Sequence, residues 1–520
     1  MKTLPFKVLL INAAIAAGFA QPASPTARDS RPRPLYGDAA PVCAPEDLRK
    51  VSIPNTTIDS VAIDPADGSC RVIATVTHPP ANDRVKVFIG LPMKGWNGRF
   101  RGNGGGGFVG GSPNSLRGPV AQGFAAGATD TGHEGGSGSF ALGANGRLKW
   151  QEIRDNAYLG IHDMTVVGKA LVKAFYGKPP RYSYFVGNST GGRQGLMEAQ
   201  RYPDDYDGIL SGCPAINWHR FLPADLWPQA VMVDARNFVS KAKLDAATAA
   251  ATAACDAVDG VIDGVVDDPI RCTWDPKALV GTKVGDSTFT EADADVLRQI
   301  WQGARGHGGR FLWYGMTRGT DLSAVAGTTG SPLAGRPFGI ALDWFRYFLV
   351  HDPKWDTTNL TRAEFELLWN QSFEQYGATI GTDNPNLSRF RDRGGKMIIM
   401  HGLLDHQIPA QGSIDYYQRV QRQMGGAERT AEFARLFLVP GVDHGFRGAG
   451  PTPGPARLMD AIIRWVEDGQ PPERLDAELR DKEGKVIRRR PLYPYPYVAK
   501  YVGRGSTDDD ANFTRGSPPP

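Results

Sequence analysis

The sequence lacks a charge bias of either sign and lacks any apolar run long enough to cross a membrane. Among its 520 residues, 59 Lys and Arg stand against 55 Asp and Glu, which leaves a formal net charge of +4. The one tight basic run, Arg488-Arg489-Arg490, is more typical of a solvated surface than of a nucleic-acid site. We therefore expect neither a nucleic-acid partner nor a membrane-spanning segment.

The N-terminus has the features of an export signal. Residues 8–17 are apolar apart from Asn12, follow a basic start and lead into a small-x-small cleavage site at residues 18–20. This run is too short for a permanent membrane helix. It predicts a signal peptide over residues 1–20 and a secreted protein, extracellular or periplasmic. Residues 21–42 are rich in Pro, Arg and Ala and are predicted to be a disordered leader.

Cysteine is scarce. Five cysteines in an exported chain favour disulfides with one thiol left over. Cys255 and Cys272 flank a compact acidic loop and are the first predicted pair, and Cys43 and Cys70 are the second. Cys213, within the mostly apolar "GILSGCP", is predicted to be a buried free thiol.

The order of strand and helix patterns predicts an α/β fold. Residues 51–91 are rich in strand patterns, and from residue 96 strand, Gly-rich loop and helix alternate, which is typical of a doubly wound, mostly parallel sheet. Residues 216–385 lack this alternation and are predicted to be an inserted lid. The core is accordingly predicted over residues 43–215 and 386–512.

The sharpest local motif is "GNSTG" at residues 187–191, which matches the pattern G-x-S-x-G. An apolar strand over residues 182–186 leads into it, and a helix over residues 193–201 follows it. This is the context of a nucleophile elbow, in which the flanking positions must be small and Ser189 projects from the sheet. The alternative interpretation is a serine that only caps a helix.

A serine nucleophile needs a base and an orienting acid, and in an α/β-hydrolase the acid and then the histidine follow it in the chain. His444, in "VPGVDHGF" between a strand and the last helix, is the predicted base. Asp405, in "MHGLLDHQIP" after another strand, is the predicted acid. Asp443 is next to His444 in sequence, and because adjacent side chains diverge it is not expected to orient the imidazole. His401, at a strand end, is interpreted as structural.

An oxyanion hole needs two backbone N–H groups, and the first comes from the residue after the nucleophile, Thr190. The second is expected from the Gly-rich loop "GNGGGGFVGG" at residues 102–111, because glycine lets the backbone approach the substrate oxygen. A phosphate-binding loop is the rival interpretation, but no Lys-Ser or Lys-Thr pair follows. These motifs together predict a serine ester hydrolase with an α/β-hydrolase core.

The same motifs resemble those of the tannase and feruloyl esterase family, which also contains the mono(hydroxyethyl) terephthalate hydrolases. The resemblance is carried by "WNGRF" with its Gly loop, "YFVGNSTGGRQGLMEAQRYPDDYDGILSG", "CDAVDGVIDGVVDDPIRC", "FRDRGGKMIIMHGLLD" and "ARLFLVPGVDHGF". It implies a lid inserted after the nucleophile helix. The site residues that it implies are the nucleophile Ser189, the acid Asp405, the base His444, and the oxyanion donors Gly107 and Thr190.

The resemblance also implies a structural calcium site in the acidic loop. Asp256, Asp259 and Asp263 would supply carboxylates, and Val261 and Val265 would supply backbone carbonyls. Hard oxygen ligands at alternating loop positions suit Ca²⁺. An Asp-Gly turn without metal is the alternative interpretation.

The chain departs from the family pattern at one pair of positions. The family usually has a disulfide between the residues beside the nucleophile and the base, where this chain has Asn188 and Gly445. Tyr493 also stands where the family often has a cysteine of a C-terminal bridge. Both partners of the first bridge are absent together, as expected for a disulfide lost as a unit.

The resemblance implies a small-molecule partner, an ester of an aromatic acid of the feruloyl, galloyl or terephthaloyl type. Hydrolysis would be a two-step acyl transfer through Ser189. In the lid, Trp344, Phe345, Tyr347 and Phe348 are expected to form an aromatic wall against the acyl ring, or else the lid's own core. Acyl transfer to an alcohol or amine on the same triad, and a non-catalytic binding protein, are the rival functions. The sequence leaves the oligomeric state open.

Overall fold

The computed structural model describes residues 32–37 and 39–517. The strands are, in chain order, β1 (Thr56–Ile63), β2 (Cys70–Val76), β3 (Val85–Leu91), β4 (Arg99–Asn103), β5 (Ala125–Thr129), β6 (Tyr182–Asn188), β7 (Gly208–Gly212), β8 (Lys283–Val284), β9 (Ser287–Thr288), β10 (Thr328–Thr329), β11 (Ala334–Gly335), β12 (Lys396–Gly402), β13 (Ala434–Val439), β14 (Leu475–Arg480), β15 (Val486–Leu492), β16 (Val498–Tyr501) and β17 (Phe513–Gly516).

The helices are α1 (Arg117–Ala121), α2 (Trp150–Arg154), α3 (Gly160–Tyr176), α4 (Thr190–Arg201), α5 (Trp218–Ala224), α6 (Trp227–Ala235), α7 (Lys241–Cys255), α8 (Glu291–Gln302), α9 (Gly339–Asp343), α10 (Arg362–Ile380), α11 (Ser388–Asp392), α12 (Ala410–Gln423), α13 (Ala427–Ala431) and α14 (Pro455–Asp468). None of the helices in the described part of the chain is both long and apolar enough to span a bilayer.

Nine strands form one sheet in the order β1-β2-β3-β5-β4-β6-β7-β12-β13. The pairs from β1 to β5 are antiparallel, and those from β5 through β4 to β13 are parallel. The parallel strands β7, β12 and β13 are almost entirely buried, as expected for a sheet covered on both faces. The predicted α/β-hydrolase core is confirmed.

Helices cover both faces of this sheet. The helix α4 packs on β6 and β7, where a β-carbon at Gly195 would touch Phe185 and Ile209. The opposite face is covered by α14, where a β-carbon at Gly208 would touch Tyr184 and Ile462. Successive residues of a strand point to opposite faces, which explains why Tyr184 and Phe185 contact different helices.

The segment between β7 and β12 contributes no strand to the nine-stranded sheet in the described structure. It holds the helices from α5 to α11 and two short hairpins, and it encloses a core rich in Trp and Phe. The predicted lid, residues 216–385, lies within this insertion. Its two boundaries stay predictions.

The predicted disorder of the leader is wrong where the structure describes it. The amide of Leu35 donates to the carbonyl of Asn97 at 3.1 Å, and the ring of Tyr36 lies 5.6 Å from that of Trp96. The amide of Val42 donates a hydrogen bond to a backbone carbonyl of α3. The leader is ordered here because its few apolar side chains pack on the core. The predicted signal peptide and residues 21–31 lie outside the described residues.

The cysteines confirm one predicted disulfide and correct the other. Cys255 and Cys272 are bonded, with their Cα atoms 5.7 Å apart. Cys43 and Cys70 are free thiols, so the second predicted pair is not formed. Burial raises the pKa of Cys70 to about 11, which disfavours the thiolate that disulfide formation needs. Cys213 is a buried free thiol, as predicted.

Candidate active site

Ser189 lies at the tight turn between β6 and α4. Its backbone has φ 61° and ψ −123°, a strained conformation for a residue with a side chain. The amide of Ser189 donates to the carbonyl of Gly212 at 2.9 Å, and this hydrogen bond holds the turn in place. A strained serine between a strand and a helix is the geometry of a nucleophile elbow.

The two glycines of the motif are required by close backbone contacts. A β-carbon at Gly187 would lie 2.3 Å from the carbonyl carbon of Gly191. A β-carbon at Gly191 would lie 3.0 Å from the carbonyl oxygen of Gly105. The small residues of G-x-S-x-G therefore let the turn close and let the Gly-rich loop approach it.

The Gly-rich loop lies directly against the elbow. Gly191 donates its amide to the carbonyl of Gly105 at 3.0 Å, and the amide of Gly105 donates to the side chain of Gln194 in α4 at 3.0 Å. The hydroxyl of Thr190 donates to the carbonyl of Gly107 at 2.6 Å. The structure thus brings both predicted oxyanion residues together. As the first residue of α4, Thr190 has an amide without an intrahelical acceptor.

Asp405 and His444 form a close pair. The Nδ1 atom of His444 lies 2.7 Å from Oδ2 of Asp405, whose side chain is fully buried. The other carboxylate oxygen of Asp405 accepts the amides of Gln407 and Ile408, both at 2.9 Å. The carboxylate is therefore held rigidly, with one oxygen on the imidazole.

His401 is a second histidine on the same carboxylate. Its Nε2 lies 3.2 Å from Oδ2 of Asp405. Burial alone would raise the pKa of Asp405, but its hydrogen bonds to His401 and His444 outweigh burial and hold the pKa below its usual range. The structural role predicted for His401 does not include this contact, because only the fold brings the strand end beside the following turn.

Asp443 has a different role in the structure. Its Oδ1 accepts the amides of Gly445 and Arg447, at 2.8 Å and 2.9 Å. The carboxylate thereby closes the turn that carries His444. This agrees with the expectation that the residue beside the histidine points away from the imidazole.

A side-chain hydrogen bond joins the elbow to the histidine loop. Nδ2 of Asn188 donates to the carbonyl of His444 at 3.3 Å. Asn188 and Gly445 are the positions at which the family resemblance implies a disulfide. Here the hydrogen bond supplies the restraint between the two loops.

Introducing cysteines at both positions, Asn188→Cys with Gly445→Cys, is expected to form a disulfide and raise the melting temperature with activity retained. A long-range bridge stabilises by roughly 2–4 kcal/mol. Gly445 is outside the left-handed region, and a β-carbon there would meet the exposed Arg447 side chain, with Nε at 3.0 Å. Free thiols and melting temperature should be measured beside Asn188→Cys alone. Two extra free thiols after oxidising export would mean that the two loops are not adjacent.

The acidic loop brings carboxylates together next to the Cys255–Cys272 disulfide. Asp256 accepts the amides of Asp263 and Gly264, at 3.2 Å and 3.0 Å. The Asp259 carboxyl lies against that of Asp267, a residue outside the predicted ligand set that stands at the next alternate position after Val265. Burial, and then the Asp259 charge, raise the pKa of Asp267 well above its usual value.

Carboxylate oxygens suit a hard cation, and the partly buried Asp267 in contact with the exposed Asp259 needs a proton or a cation beside it. Asp263 is already engaged, since its Oδ2 accepts from Arg490 of β15 at 2.5 Å. That ion pair ties the insertion to the core.

The predicted aromatic wall is corrected by burial. Trp344 and Phe345 are 0% exposed and Phe348 is 1% exposed, and all three belong to the core of the insertion. Trp344 donates its ring N–H to Ser372, and Phe345 stacks on Trp355. Side chains without exposed surface cannot contact a ligand directly. The alternative interpretation, the lid's own core, describes their position.

The sheet order, the elbow and the buried acid–histidine pair define an α/β-hydrolase with a large insertion. The sequence model of the family described as "Tannase and feruloyl esterase" matches residues 70–515. The chain belongs to this family and is a carboxylic ester hydrolase. The resemblance stated from the motifs is confirmed.

Individual relatives agree with the family match. A "Probable feruloyl esterase" of Arthroderma benhamiae is 39% identical over 473 residues, which cover 88% of this chain and 86% of that protein. The "Mono(2-hydroxyethyl) terephthalate hydrolase" of Piscinibacter sakaiensis is 31% identical over 511 residues, which cover 84% and 82%.

Solved structures show the same fold. Feruloyl esterase B from Aspergillus oryzae superposes with a TM-score of 0.80 at 27% identity, covering 91% of this chain and 99% of that one. Tannin acyl hydrolase from Aspergillus niger superposes with a TM-score of 0.81 at 26% identity, covering 92% and 95%.

Proposed function

We propose that this chain is a secreted serine esterase that hydrolyses esters of aromatic acids through Ser189, His444 and Asp405. The observation that carries the proposal is the 2.7 Å contact between Asp405 and His444, on a loop that Asn188 ties to the Ser189 elbow. The disulfide and the predicted signal peptide support secretion.

The reaction begins when Ser189 attacks the ester carbonyl. His444 takes the hydroxyl proton and returns it to the leaving alcohol, while the Asp405 carboxylate holds the imidazole and stabilises its charged form. The amides of Gly107 and Thr190 donate to the oxyanion that develops on the carbonyl oxygen. Water, activated by the same histidine, then releases the acid from the acyl-enzyme.

Relatives support the aromatic acyl group. Their printed names specify feruloyl, terephthalate and tannin substrates, and each of these acyl groups carries an aromatic ring. The test is a panel of methyl ferulate, a gallate ester and mono(2-hydroxyethyl) terephthalate, with methyl hexanoate as the aliphatic control. A higher kcat/KM for methyl hexanoate than for every aromatic ester would contradict the proposal. Running the panel with and without added alcohols separates hydrolysis from acyl transfer.

The proposal includes a structural Ca²⁺ in the acidic loop. Asp256, Asp259 and Asp263 would hold the ion with the carbonyls of Val261 and Val265. The contact between Asp259 and Asp267 supports this, because a cation beside them would favour the ionised carboxylate that burial and the Asp259 charge disfavour at Asp267. The ion would hold the segments of the loop together and would take no part in acyl transfer.

Removal of calcium is expected to lower the melting temperature more than it lowers kcat at room temperature, because an ion that binds only the native state stabilises it by mass action. Asp259→Asn should reproduce the loss and make the protein insensitive to chelator, whereas the exposed Asp286→Asn should do neither. An unchanged melting curve in chelator, with no calcium by elemental analysis, would remove the site.

A further inference from the structure

A cavity of about 450 Å³ lies behind the nucleophile elbow, between the sheet and α14. Its lining includes Gly187 and Asn188, just before Ser189, and Gly445 and Phe446, just after His444. Within the described structure the lining includes neither Ser189 nor any residue of the insertion. The cavity is therefore separate from the face of the elbow on which the Gly-rich loop and the insertion lie.

Arg101 is the only charged residue in the described lining of this cavity. It pairs in register with Tyr184 and so points toward α14. Its Nε is buried and has no hydrogen-bond partner, and burial lowers its pKa to about 10, which leaves the guanidinium charged near neutral pH. The residue as a whole is partly exposed, but the buried Nε–H without a partner is costly unless a ligand satisfies it.

The neighbouring arginine on the same strand, Arg99, has the carboxylate partner that Arg101 lacks. Arg99 points to the same face and forms two hydrogen bonds of 2.6 Å with the carboxylate of Glu467. That pair is complete within the chain. At Arg101, no side-chain carboxylate of the described residues takes the equivalent place.

A second positive element faces the cavity. The first turn of α14 contributes Gly454, Pro455 and Ala456 to the lining. Pro455 has no N–H and the N-cap residue Gly454 provides no side-chain cap, so the amide of Ala456 is the donor of this turn that faces the cavity without a cap. The N-terminus of a helix carries a partial positive charge and binds anions. The unpaired guanidinium and the uncapped helix end both favour a negatively charged ligand.

The rest of the wall is apolar. Val186, Leu210, Ile398, Met400 and Met459 line it beside Phe446. An inorganic anion would leave these side chains without contacts, whereas an acid with an apolar body would fill them.

We propose that this cavity is a second binding site, outside the catalytic cleft, for a small monocarboxylic acid with an apolar body, whose carboxylate pairs with Arg101. Every turnover of a carboxylic ester hydrolase releases a carboxylic acid. That the ligand in nature is the aromatic product rests on the proposed function, whereas the site itself does not. Because the occupant touches residues next to Ser189 and His444, its binding slows turnover without competing with substrate.

The test is titration calorimetry in a Ser189→Ala background, with ferulate, methyl ferulate and inorganic phosphate as probes. Arg101→Gln is expected to weaken ferulate binding at one site by about tenfold or more, the loss of a charge-assisted pair. Arg464→Gln, an exposed arginine on α14, is the matched control and should leave binding unchanged. Arg101→Lys should retain part of the affinity because it keeps the charge.

Unchanged ferulate affinity in Arg101→Gln overturns the proposal, and so does phosphate binding as tight as that of ferulate. If Arg101→Gln does not fold, calorimetry on the Ser189→Ala parent provides the test. Equal affinities of that parent for ferulate and methyl ferulate also overturn the proposal. With Ser189 intact, added ferulate should show a non-competitive component of inhibition that Arg101→Gln removes and that Arg464→Gln retains. If the proposed esterase function is wrong, the calorimetry still tests the site, because it measures binding and not turnover.

Discussion

Replacing Ser189 by alanine is expected to lower kcat for ester hydrolysis by roughly a million-fold, the loss that follows removal of a triad serine. The side chain would lose its nucleophilic oxygen, while the elbow would keep its backbone bond to Gly212. Melting temperature should stay close to that of the parent. Steady-state kinetics with methyl ferulate measure the effect.

Ser183→Ala is the matched control, because Ser183 is a buried serine on the same strand and takes no part in the site. It should keep most of the activity. If Ser189→Ala retained a sizeable share of the parent kcat in folded protein, Ser189 could not be the nucleophile.

Asp405→Asn is expected to lower kcat by roughly ten-thousand-fold, because an amide neither fixes the productive tautomer of His444 nor stabilises the imidazolium. Asp405 stays ionised in the parent, since its hydrogen bonds to the two histidines hold its pKa below the usual range despite burial. The same kinetic assay applies.

Asp443→Asn is the comparison that separates the two acids. Its amide oxygen can still accept the amides of Gly445 and Arg447, which is what the Asp443 carboxylate does now. We therefore expect a mild effect. A mild Asp405→Asn together with a severe Asp443→Asn would exchange their roles.

Motifs whose residue types are fixed by close local contacts could be predicted from the sequence. The elbow could be predicted because G-x-S-x-G between a strand and a helix reports contacts too close for a β-carbon, as at Gly187 and Gly191. Asp405 and His444 could be placed by chain order and by their positions after strands. The sheet followed from the alternation of strand and helix patterns.

Features that depend on packing could not be read in the same way. Trp344 and Phe348 have the letters of a substrate wall, but whether an aromatic ring is buried is decided by neighbours distant in sequence. The contact of His401 with Asp405 and the missing partner of Arg101 likewise exist only in the folded chain. Cys43 and Cys70 show that a number of cysteines sufficient for a second disulfide does not establish that the disulfide forms.

The most direct test of the central claim is covalent labelling with a fluorophosphonate, followed by peptide mass spectrometry of the parent and of Ser189→Ala. A fluorophosphonate reacts with a serine that an adjacent base activates. We expect one adduct on the peptide that contains Ser189, with loss of activity in proportion to labelling, and no adduct in Ser189→Ala. An unlabelled parent, or an adduct on a different residue that accounts for the loss of activity, would contradict the assignment of Ser189 as the nucleophile.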